Sequence, residues 1–343
     1  MSDTPGTHMR TEIAQQPQVL RALLANAPAV LAPVLDAIKA RKPALAVLAA
    51  RGSSDNASTY GKYLLESMLG LPVALAAPSL FTLYQQPPNL RNALVIGVSQ
   101  SGGSLDVVEV VTQARAQGAL TLGITNTNGS ELHRAAEHKL LLHAGLEKAL
   151  AATKTVSAQC LAYAMLALPR ALTTRVPDEV AGVIADAVPA IAMLLPKWLH
   201  AQRGAVIGRG YTYGAAQEIA LKLKETCFFG VEPYSGADFM HGPLALAEPG
   251  YPMLVLANHD ATLPTTLALI EKARARDVAL TVWSTRAAAA KLPVEADVII
   301  DADARTAPIS FIVLGQMFAL SLALARDIDP DLSRGVSKVT VTL

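Results

Sequence analysis

Hydrophobic and polar positions along the chain fall into short apolar runs that alternate with amphipathic segments of helical spacing. Within residues 93–118 an apolar, β-branched run is interrupted by the loop Ser99-Gln100-Ser101-Gly102-Gly103-Ser104, after which apolar residues recur at helical spacing. Apolar runs of the same kind occupy residues 44–50, 73–76, 120–125 and 139–143. This alternation predicts an α/β fold in which helices cover both faces of a parallel sheet.

The same pattern returns in the second half of the chain at an offset of about 158 to 160 residues, which predicts two copies of one domain. Helical spacing predicts further helices over residues 9–25, 29–42, 152–168 and 213–228. We expect an N-terminal leader and helix (1–28), a first domain (29–169), a helical linker (170–200), a second domain (201–330) and a C-terminal tail (331–343).

The Ser/Gly-rich loop has the features of a small-anion site. It follows a strand and precedes a helix, whose free N–H groups and positive dipole end face the loop. It has neither the Lys of a Walker-type nucleotide site nor the glycine spacing of a dinucleotide site. Its hydroxyls, with those of Ser53 and Ser54 after the first strand, suit a phosphate monoester, although the serines could simply cap helices.

The second copy has no such loop and carries ionisable residues instead. Glu218, Lys222 and Glu225 recur at spacings that place them on one helix face. Such charges usually form a solvated surface, but the apolar residues that follow favour a buried carboxylate that moves protons. His241 lies in a turn-rich stretch predicted to be a loop (232–244) and is either structural or an acid/base group. Lys338 lies on an alternating tail and, on its own, indicates only a solvated lysine.

Composition narrows the choice of partners. The chain has 343 residues, 52% of them hydrophobic, and a net charge of +1, which favours neither nucleic acid nor a membrane surface. No apolar run reaches the roughly 18 residues needed to cross a bilayer, and the first residues do not resemble a signal peptide, so we expect a cytoplasmic protein. Cys160 and Cys227 lack metal-ligand spacing and are expected to be buried thiols. We expect neither a metal nor another cofactor.

Taken together, the motifs resemble a known family over almost the whole chain, from about Met9 onward. They resemble the isomerase half of glutamine:fructose-6-phosphate amidotransferase, which consists of two tandem sugar isomerase (SIS) domains. The resemblance rests on SQSGGS, on ALAATKT at residues 149–155, on IALKLKE ending at Glu225, on HGPLAL at 241–246 and on the tail with Lys338. It implies that each domain is flavodoxin-like.

The resemblance also implies roles for individual residues. A sugar 6-phosphate is expected to be bound by Ser53, Ser54, Ser99, Gln100, Ser101 and Ser104, with Gly52, Ala152 and Glu218 around the sugar. Glu225 is expected to move a proton between C1 and C2, with Lys222 stabilising charge. His241 is expected to assist ring opening across the interface of a homodimer, so that the active site lies near that interface. Lys338 corresponds to a lysine that forms a Schiff base in the synthase.

Departures from the family pattern alter the expected reaction. The glutaminase domain is expected to be absent, so the chain has no internal source of ammonia. Arg51, Ala152 and Met240 replace a cysteine, a serine and a lysine of the synthase, as in stand-alone phosphosugar deaminases. We therefore predict conversion of glucosamine 6-phosphate and water to fructose 6-phosphate and ammonia. The alternatives are a deglycase or isomerase for another sugar phosphate, or a non-catalytic phosphosugar sensor, although residues 1–42 lack a basic helix-turn-helix.

Overall fold

The computed structural model of the protein describes residues 4–332 and 334–335. Its strands are β1 Leu45–Ala49, β2 Val73–Leu75, β3 Ala93–Ser99, β4 Leu120–Thr125, β5 His138–Leu141, β6 Arg203–Gly208, β7 Gly230–Ser235, β8 Pro252–Ala257, β9 Ala279–Thr285 and β10 Val298–Ile300. Its helices are α1 Thr7–Ala14, α2 Gln16–Arg41, α3 Ser53–Leu69, α4 Ser79–Thr82, α5 Leu105–Ala116, α6 Glu131–Ala135, α7 Lys154–Ala167, α8 Arg170–Thr173, α9 Val176–Asp186, α10 Val188–Trp198, α11 Tyr213–Cys227, α12 Gly236–Met240, α13 Leu263–Arg274, α14 Arg286–Ala289 and α15 Ala307–Ala325. Two short 3₁₀ helices span Gly210–Thr212 and Pro243–Leu246.

The strands form two five-stranded parallel sheets, ordered β2-β1-β3-β4-β5 and β10-β9-β8-β6-β7. With β6 to β10 counted as the first to fifth strands of the second sheet, both sheets have the flavodoxin-like order 2-1-3-4-5. The predicted α/β class and the internal duplication are thereby confirmed. In this order a crevice forms where the chain leaves the first and third strands in opposite directions.

Within the described residues the chain divides into two compact units. The β1–β5 unit comprises residues 18–147 and 154–174, together with 334–335. The β6–β10 unit comprises residues 4–17, 148–153 and 175–332. The domain boundaries expected from the sequence stay predictions.

Each unit has its own apolar core. In the β1–β5 unit Val47 and Val95 pack against α5 and α6 through Val107, Val111 and Leu132. In the β6–β10 unit the helices α11 and α15 approach each other closely. A Cβ at Gly315 on α15 would lie 2.4 Å from Cγ1 of Ile219 on α11, so only glycine fits there without a shift. This contact fixes α11, which carries the ionisable residues picked out above.

The predicted N-terminal helices are wrong in their boundaries. The break between them lies at Gln15, and α2 then continues through Pro28 and Pro33. Each proline removes one helix N–H and normally disfavours a helix interior. Only 33% of the most apolar window of α2 is buried, so carbonyls that lose their donor can be solvated.

The predicted loop over residues 232–244 is also wrong in part. Residues 230–235 form β7, whose register pairs Val206 of β6 with Pro233. Because β7 is an edge strand with β6 as its neighbour in the sheet, Pro233 can lack an N–H without breaking an inner ladder. The next residues form the short helix α12.

The expectation that no apolar segment is long enough to cross a bilayer is wrong when helices are judged by their length and composition alone. Helices α2 and α15 both meet those criteria, and the helical segment 170–186 with α10 would add a third span if that pair, bent by 63°, were counted as one. In α15, however, 89% of the apolar window is buried inside the protein. A helix that packs on α11, α9, α10 and α1 needs apolar residues all round.

Candidate functional site

The serine loops lie at the carboxyl ends of β1 and β3, where the strand order of the first sheet reverses. The two strands are hydrogen-bonded neighbours, with Ala49 opposite Gly97. Gly52 follows β1 with φ +55° and is the N-cap of α3, so Ser53 and Ser54 open that helix. The loop after β3 leads into α5, whose N-cap is Ser104. Both loops therefore meet at the crevice where flavodoxin-like sheets bind ligands.

Internal hydrogen bonds hold the loop after β3 in shape. Ser99 Oγ lies 3.0 Å from Ser104 Oγ and accepts from Gly102 N at 3.2 Å. Ser101 Oγ accepts from Gly103 N at 3.2 Å. Gly102 has φ +68°, and a Cβ there would lie 2.0 Å from Ser130 Oγ. A glycine is therefore required at position 102 by both conformation and space.

Ser104 does not act as a conventional helix cap. It is the N-cap residue of α5, but its side chain accepts no capping hydrogen bond, and the N-cap residue of α3 is Gly52, which has no side chain. The alternative that the serines serve only as caps is therefore not supported for Ser104. The starts of α3 and α5 and the serine-containing loops that lead into them meet at one crevice, and helix starts with nearby hydroxyls are a common phosphate site in proteins. We call this arrangement the hydroxyl cradle (Gly52–Ser54 and Ser99–Ser104).

The corresponding crevice of the second sheet already contains a carboxylate of the chain. Asp260 Oδ1 accepts from Thr262 N at 2.8 Å and from Thr262 Oγ1 at 2.6 Å, at the N-cap of α13. Asn258 Nδ2 donates to Asp260 Oδ2 at 3.0 Å. The absence of a serine cluster from this loop, noted in the sequence, thus coincides with an internal anion at the helix start.

Helix α11 brings three predicted site residues into one cluster, Glu218–Lys222–Glu225. Lys222 Nζ lies 3.3 Å from Glu218 Oε1 and 2.6 Å from Glu225 Oε2. The side chains of Glu218 and Lys222 are 0% and 1% exposed, whereas that of Glu225 is 32% exposed. The solvated-face alternative is therefore wrong for the first two residues. Glu225 is the carboxylate of the cluster that solvent, or a ligand, can reach.

The electrostatics of the cluster are dominated by burial and by the two carboxylates. Burial alone would lower the pKa of Lys222, but Glu218 and Glu225 raise it above the usual lysine value. Lys222 is therefore a permanent cation at neutral pH. A fixed positive charge beside Glu225 can stabilise negative charge that develops on the carboxylate or on a nearby oxygen.

The structure shows fewer contacts for the remaining predicted residues. His241 is exposed at the end of α12, and its backbone N donates to Asp238 O at 3.0 Å. No hydrogen bond or ion pair of its side chain with another described residue is found. Ala152 is half-buried in the segment 148–153, and Lys338 lies outside the described residues. Cys160 and Cys227 are buried thiols, as predicted. No group of metal-ligating side chains occurs among the described residues.

Two structural anchors near these motifs were missed by sequence reasoning. Glu12 is buried and accepts from the backbone N–H groups of Lys148 and Ala149, which holds the ALAATKT segment. Asp106, in the first turn of α5, lies 2.6 Å from Arg51 Nε. A buried acid far away in sequence leaves no local signal, but an acidic residue two positions after SQSGGS is visible in the sequence.

Comparison with known proteins gives consistent matches. The SIS domain family matches residues 41–169 and 199–326. A glutamine–fructose-6-phosphate aminotransferase (isomerizing) from Chlorobaculum tepidum is 31% identical over 362 residues, which cover 97% of this chain and 58% of that relative. The chain thus spans little more than half the length of that relative.

Solved structures match over nearly their full length. A candidate phosphosugar isomerase from Silicibacter pomeroyi DSS-3 is 32% identical, with a TM-score of 0.84 and coverage of 95% of this chain and 100% of that one. The C-terminal domain of glucosamine-fructose-6-phosphate aminotransferase from Francisella tularensis is 24% identical, with a TM-score of 0.82 and coverage of 96% and 99%. The second likeness concerns the fold alone.

Proposed function

This chain belongs to the SIS domain family, and on that premise we propose that it is a phosphosugar isomerase that deaminates glucosamine 6-phosphate. The products are fructose 6-phosphate and ammonia. The observation that carries the proposal is the Glu218–Lys222–Glu225 cluster, in which a buried ammonium lies 2.6 Å from a carboxylate that is partly exposed. A positioned carboxylate of this kind is suited to move a proton between neighbouring carbons.

In the proposed reaction the hydroxyl cradle binds the 6-phosphate, Gly52 and Ala152 contact the sugar, and the fully buried Glu218 acts only through its ion pair with Lys222. Serine hydroxyls and helix N–H groups bind the phosphate without taking part in the chemistry at C1 and C2. Binding energy from the phosphate then positions the reacting carbons. No metal or other cofactor takes part in this proposal.

The chemical steps balance with one water consumed and one ammonia released. His241 assists opening of the hemiacetal, which gives an aldehyde at C1. Glu225 removes the proton from C2 and returns it to C1, while the C1 oxygen gains the proton that the substrate's ammonium group loses, so the C1 carbonyl becomes a hydroxymethyl group and C2 becomes an iminium. Water adds to C2, a proton moves to nitrogen, and ammonia leaves as the C2 ketone forms. Lys222 stabilises the negative charge that develops during the proton transfer.

Ammonia release from glucosamine 6-phosphate by the purified chain tests the proposal. Replacing Glu225 with Gln is expected to lower kcat by about a hundredfold or more, since positioned proton transfer contributes at least that much. Glu232→Gln is the matched control. It makes the same substitution at a glutamate that is also paired with a lysine of α11, but the ion pair of Glu232 with Lys224, at 3.4 Å, is exposed. No ammonia release, or a Glu225→Gln rate within about threefold of the wild-type rate, would contradict the proposal.

A panel of substrates separates this reaction from its alternatives. Release of an amino acid from a fructosamine-type phosphate would indicate a deglycase, and interconversion of amine-free sugar phosphates would indicate a simple isomerase. A rise in melting temperature with every phosphosugar but no product would indicate a sensor. The present proposal requires ammonia release from glucosamine 6-phosphate to be the fastest of these reactions.

The proposal includes a cytoplasmic homodimer in which His241 acts on the active site of the other subunit. Mixing inactive His241→Ala and Glu225→Gln subunits tests this directly. If the two residues act on one substrate from different subunits, mixed dimers contain one intact site and activity returns. If each subunit acts alone, mixing restores nothing.

A further inference from the structure

Arg51 lies at the edge of the hydroxyl cradle and links its two halves. It lies two residues after the end of β1 and precedes Gly52, and its Nε lies 2.6 Å from Asp106 Oδ2 in the first turn of α5. The Asp106 side chain is 4% exposed, whereas that of Arg51 is 51% exposed. The carboxylate thus holds one edge of the guanidinium and leaves the rest open to solvent at the crevice.

The charges around the cradle explain why a cation is needed there. Asp55 and Asp106 stand in the first turns of α3 and α5, the two helices whose N-termini face the cradle. Burial raises the pKa of Asp55, and the charge of Arg51 lowers it. Within residues 51–56 and 99–106, Arg51 is the one cationic side chain. A doubly charged phosphate entering this site would otherwise meet carboxylates with no opposing charge.

The guanidinium also has donors to spare. Arginine presents five N–H groups in a planar fork, and Asp106 engages the one on Nε. No further hydrogen bond of the Arg51 side chain is found among the residues the structure describes. The terminal N–H groups can therefore donate in pairs to an oxyanion, which is the geometry that arginine uses for phosphate.

We propose that Arg51 is a specificity-determining residue of the hydroxyl cradle. Its terminal N–H groups donate to the substrate's phosphate while Asp106 holds the Nε edge of the guanidinium. The identity of the sugar in this inference rests on the proposed function, whereas phosphate binding by Arg51 does not. Arg51 selects doubly charged phosphate over singly charged or neutral groups of similar size. Asp106 is a positioning residue that orients the guanidinium.

A simpler role for Arg51 would be to neutralise Asp106, and a pair of variants separates the two roles. Inorganic phosphate binding is measured by calorimetry for the wild type, Arg51→Gln, Asp106→Asn and the double variant. We expect Arg51→Gln to weaken phosphate binding about tenfold or more in both the wild-type and the Asp106→Asn background, because a charge-assisted hydrogen bond is lost. Arg51→Lys should recover part of the loss, since it keeps the charge but not the fork.

Two outcomes would overturn the inference. The first is a double variant that binds phosphate as tightly as the wild type, which would mean that Arg51 serves only to neutralise Asp106. The second is an unchanged affinity in Arg51→Gln. Circular dichroism and melting temperature establish that each variant is folded. In turnover assays kcat/KM for glucosamine 6-phosphate should fall by about the same factor as the phosphate affinity.

The calorimetric test can also show that one of the two proposals, the role of Arg51 or the deaminase reaction, is wrong while the other holds. Phosphate binding requires no turnover. Arg51-dependent binding in a protein that releases no ammonia would refute the deaminase proposal and leave the role of Arg51 intact. Ammonia release in a protein whose phosphate binding does not depend on Arg51 would support the deaminase proposal and refute the role of Arg51.

Discussion

Lys222 Nζ lies 2.6 Å from Glu225 Oε2, and the two residues differ sharply in exposure: the lysine is buried and the glutamate is one-third exposed. The ammonium cannot be solvated, so its charge is balanced by Glu225 and by the fully buried Glu218. In the proposed mechanism reactivity and stability are therefore coupled in this cluster, since the same cation that supports Glu225 compensates Glu218.

Removing that cation is expected to destabilise the protein. Lys222→Met leaves the buried Glu218 without its ammonium, and breaking a buried ion pair typically costs about 3–5 kcal/mol. Lys224→Met is the matched control, since its pair with Glu232 is exposed and should contribute about 1 kcal/mol or less. Melting temperatures report both changes. Adding Glu218→Gln to Lys222→Met should recover part of the loss, and failure to do so would contradict the coupling.

The protonation of Glu179 is expected to make stability fall with rising pH. Its side chain on α9 is 6% exposed, with Arg175 Nε 3.7 Å from Oε1. Burial raises the pKa of Glu179 from 4.5 to about 7, although Arg175 and the hydroxyl of Thr306 act to lower it. The folded state thus binds the proton more tightly than the unfolded chain does. The stabilisation is complete below the unfolded pKa and disappears as pH rises through about 7.

Glu179→Gln tests this pH dependence because glutamine resembles the protonated acid. Relative to the wild type, the variant should gain up to about 3 kcal/mol between about pH 5 and about pH 8. Thermal unfolding at both values measures the change. A constant difference between variant and wild type would show that Glu179 is ionised throughout.

The conformation of Gly102 is expected to be essential for the hydroxyl cradle. Gly102→Ala places a Cβ 2.0 Å from Ser130 Oγ in a residue with φ +68°, so the loop must move. We expect destabilisation of about 1–3 kcal/mol and weaker phosphate binding. At the neighbouring Gly103 the nearest atom to a Cβ would be Ser101 Oγ at 3.8 Å. Gly103→Ala should therefore leave the melting temperature close to the wild-type value, and equal losses in both variants would refute the steric argument.

The close approach of α11 and α15 predicts a specific rescue. Gly315→Ala forces a Cβ to 2.4 Å from Ile219 Cγ1 and should cost about 1–3 kcal/mol. In an Ile219→Ala background the obstructing atom is gone, and the same substitution should be neutral or stabilising by up to about 1 kcal/mol, because alanine favours a helix. Melting temperatures of the four proteins give the coupling. Equal effects of Gly315→Ala in both backgrounds would contradict it.

The parts of the fold that follow from local pattern could be predicted from the sequence. The SQSGGS loop, the helix with Glu218, Lys222 and Glu225, and the duplication depend on periodicity and spacing, and the structure bears out their placement. The strand β7 could not be predicted in this way. Whether Pro233 is tolerated depends on its position at a sheet edge, which is a tertiary property.

The contacts of the candidate site were harder to predict than its motifs. Arg51 appeared in the sequence only as a departure from a family pattern, because its link to Asp106 spans two strand-helix units. The burial of Lys222 likewise depends on the packing of α11 in its unit, since a solvated helix face would have the same spacing. The role of Lys338 stays a prediction, since that residue lies outside the described chain.

Asp260 has a consequence for stoichiometry. At the N-cap of α13 its carboxylate accepts from both the N–H and the hydroxyl of Thr262, in the crevice that corresponds to the one lined by serines in the other unit. That crevice carries its own negative charge and would repel an incoming anion. We therefore expect the duplicated fold to have one phosphate site and not two: phosphate titrated into this protein should saturate at one equivalent per chain.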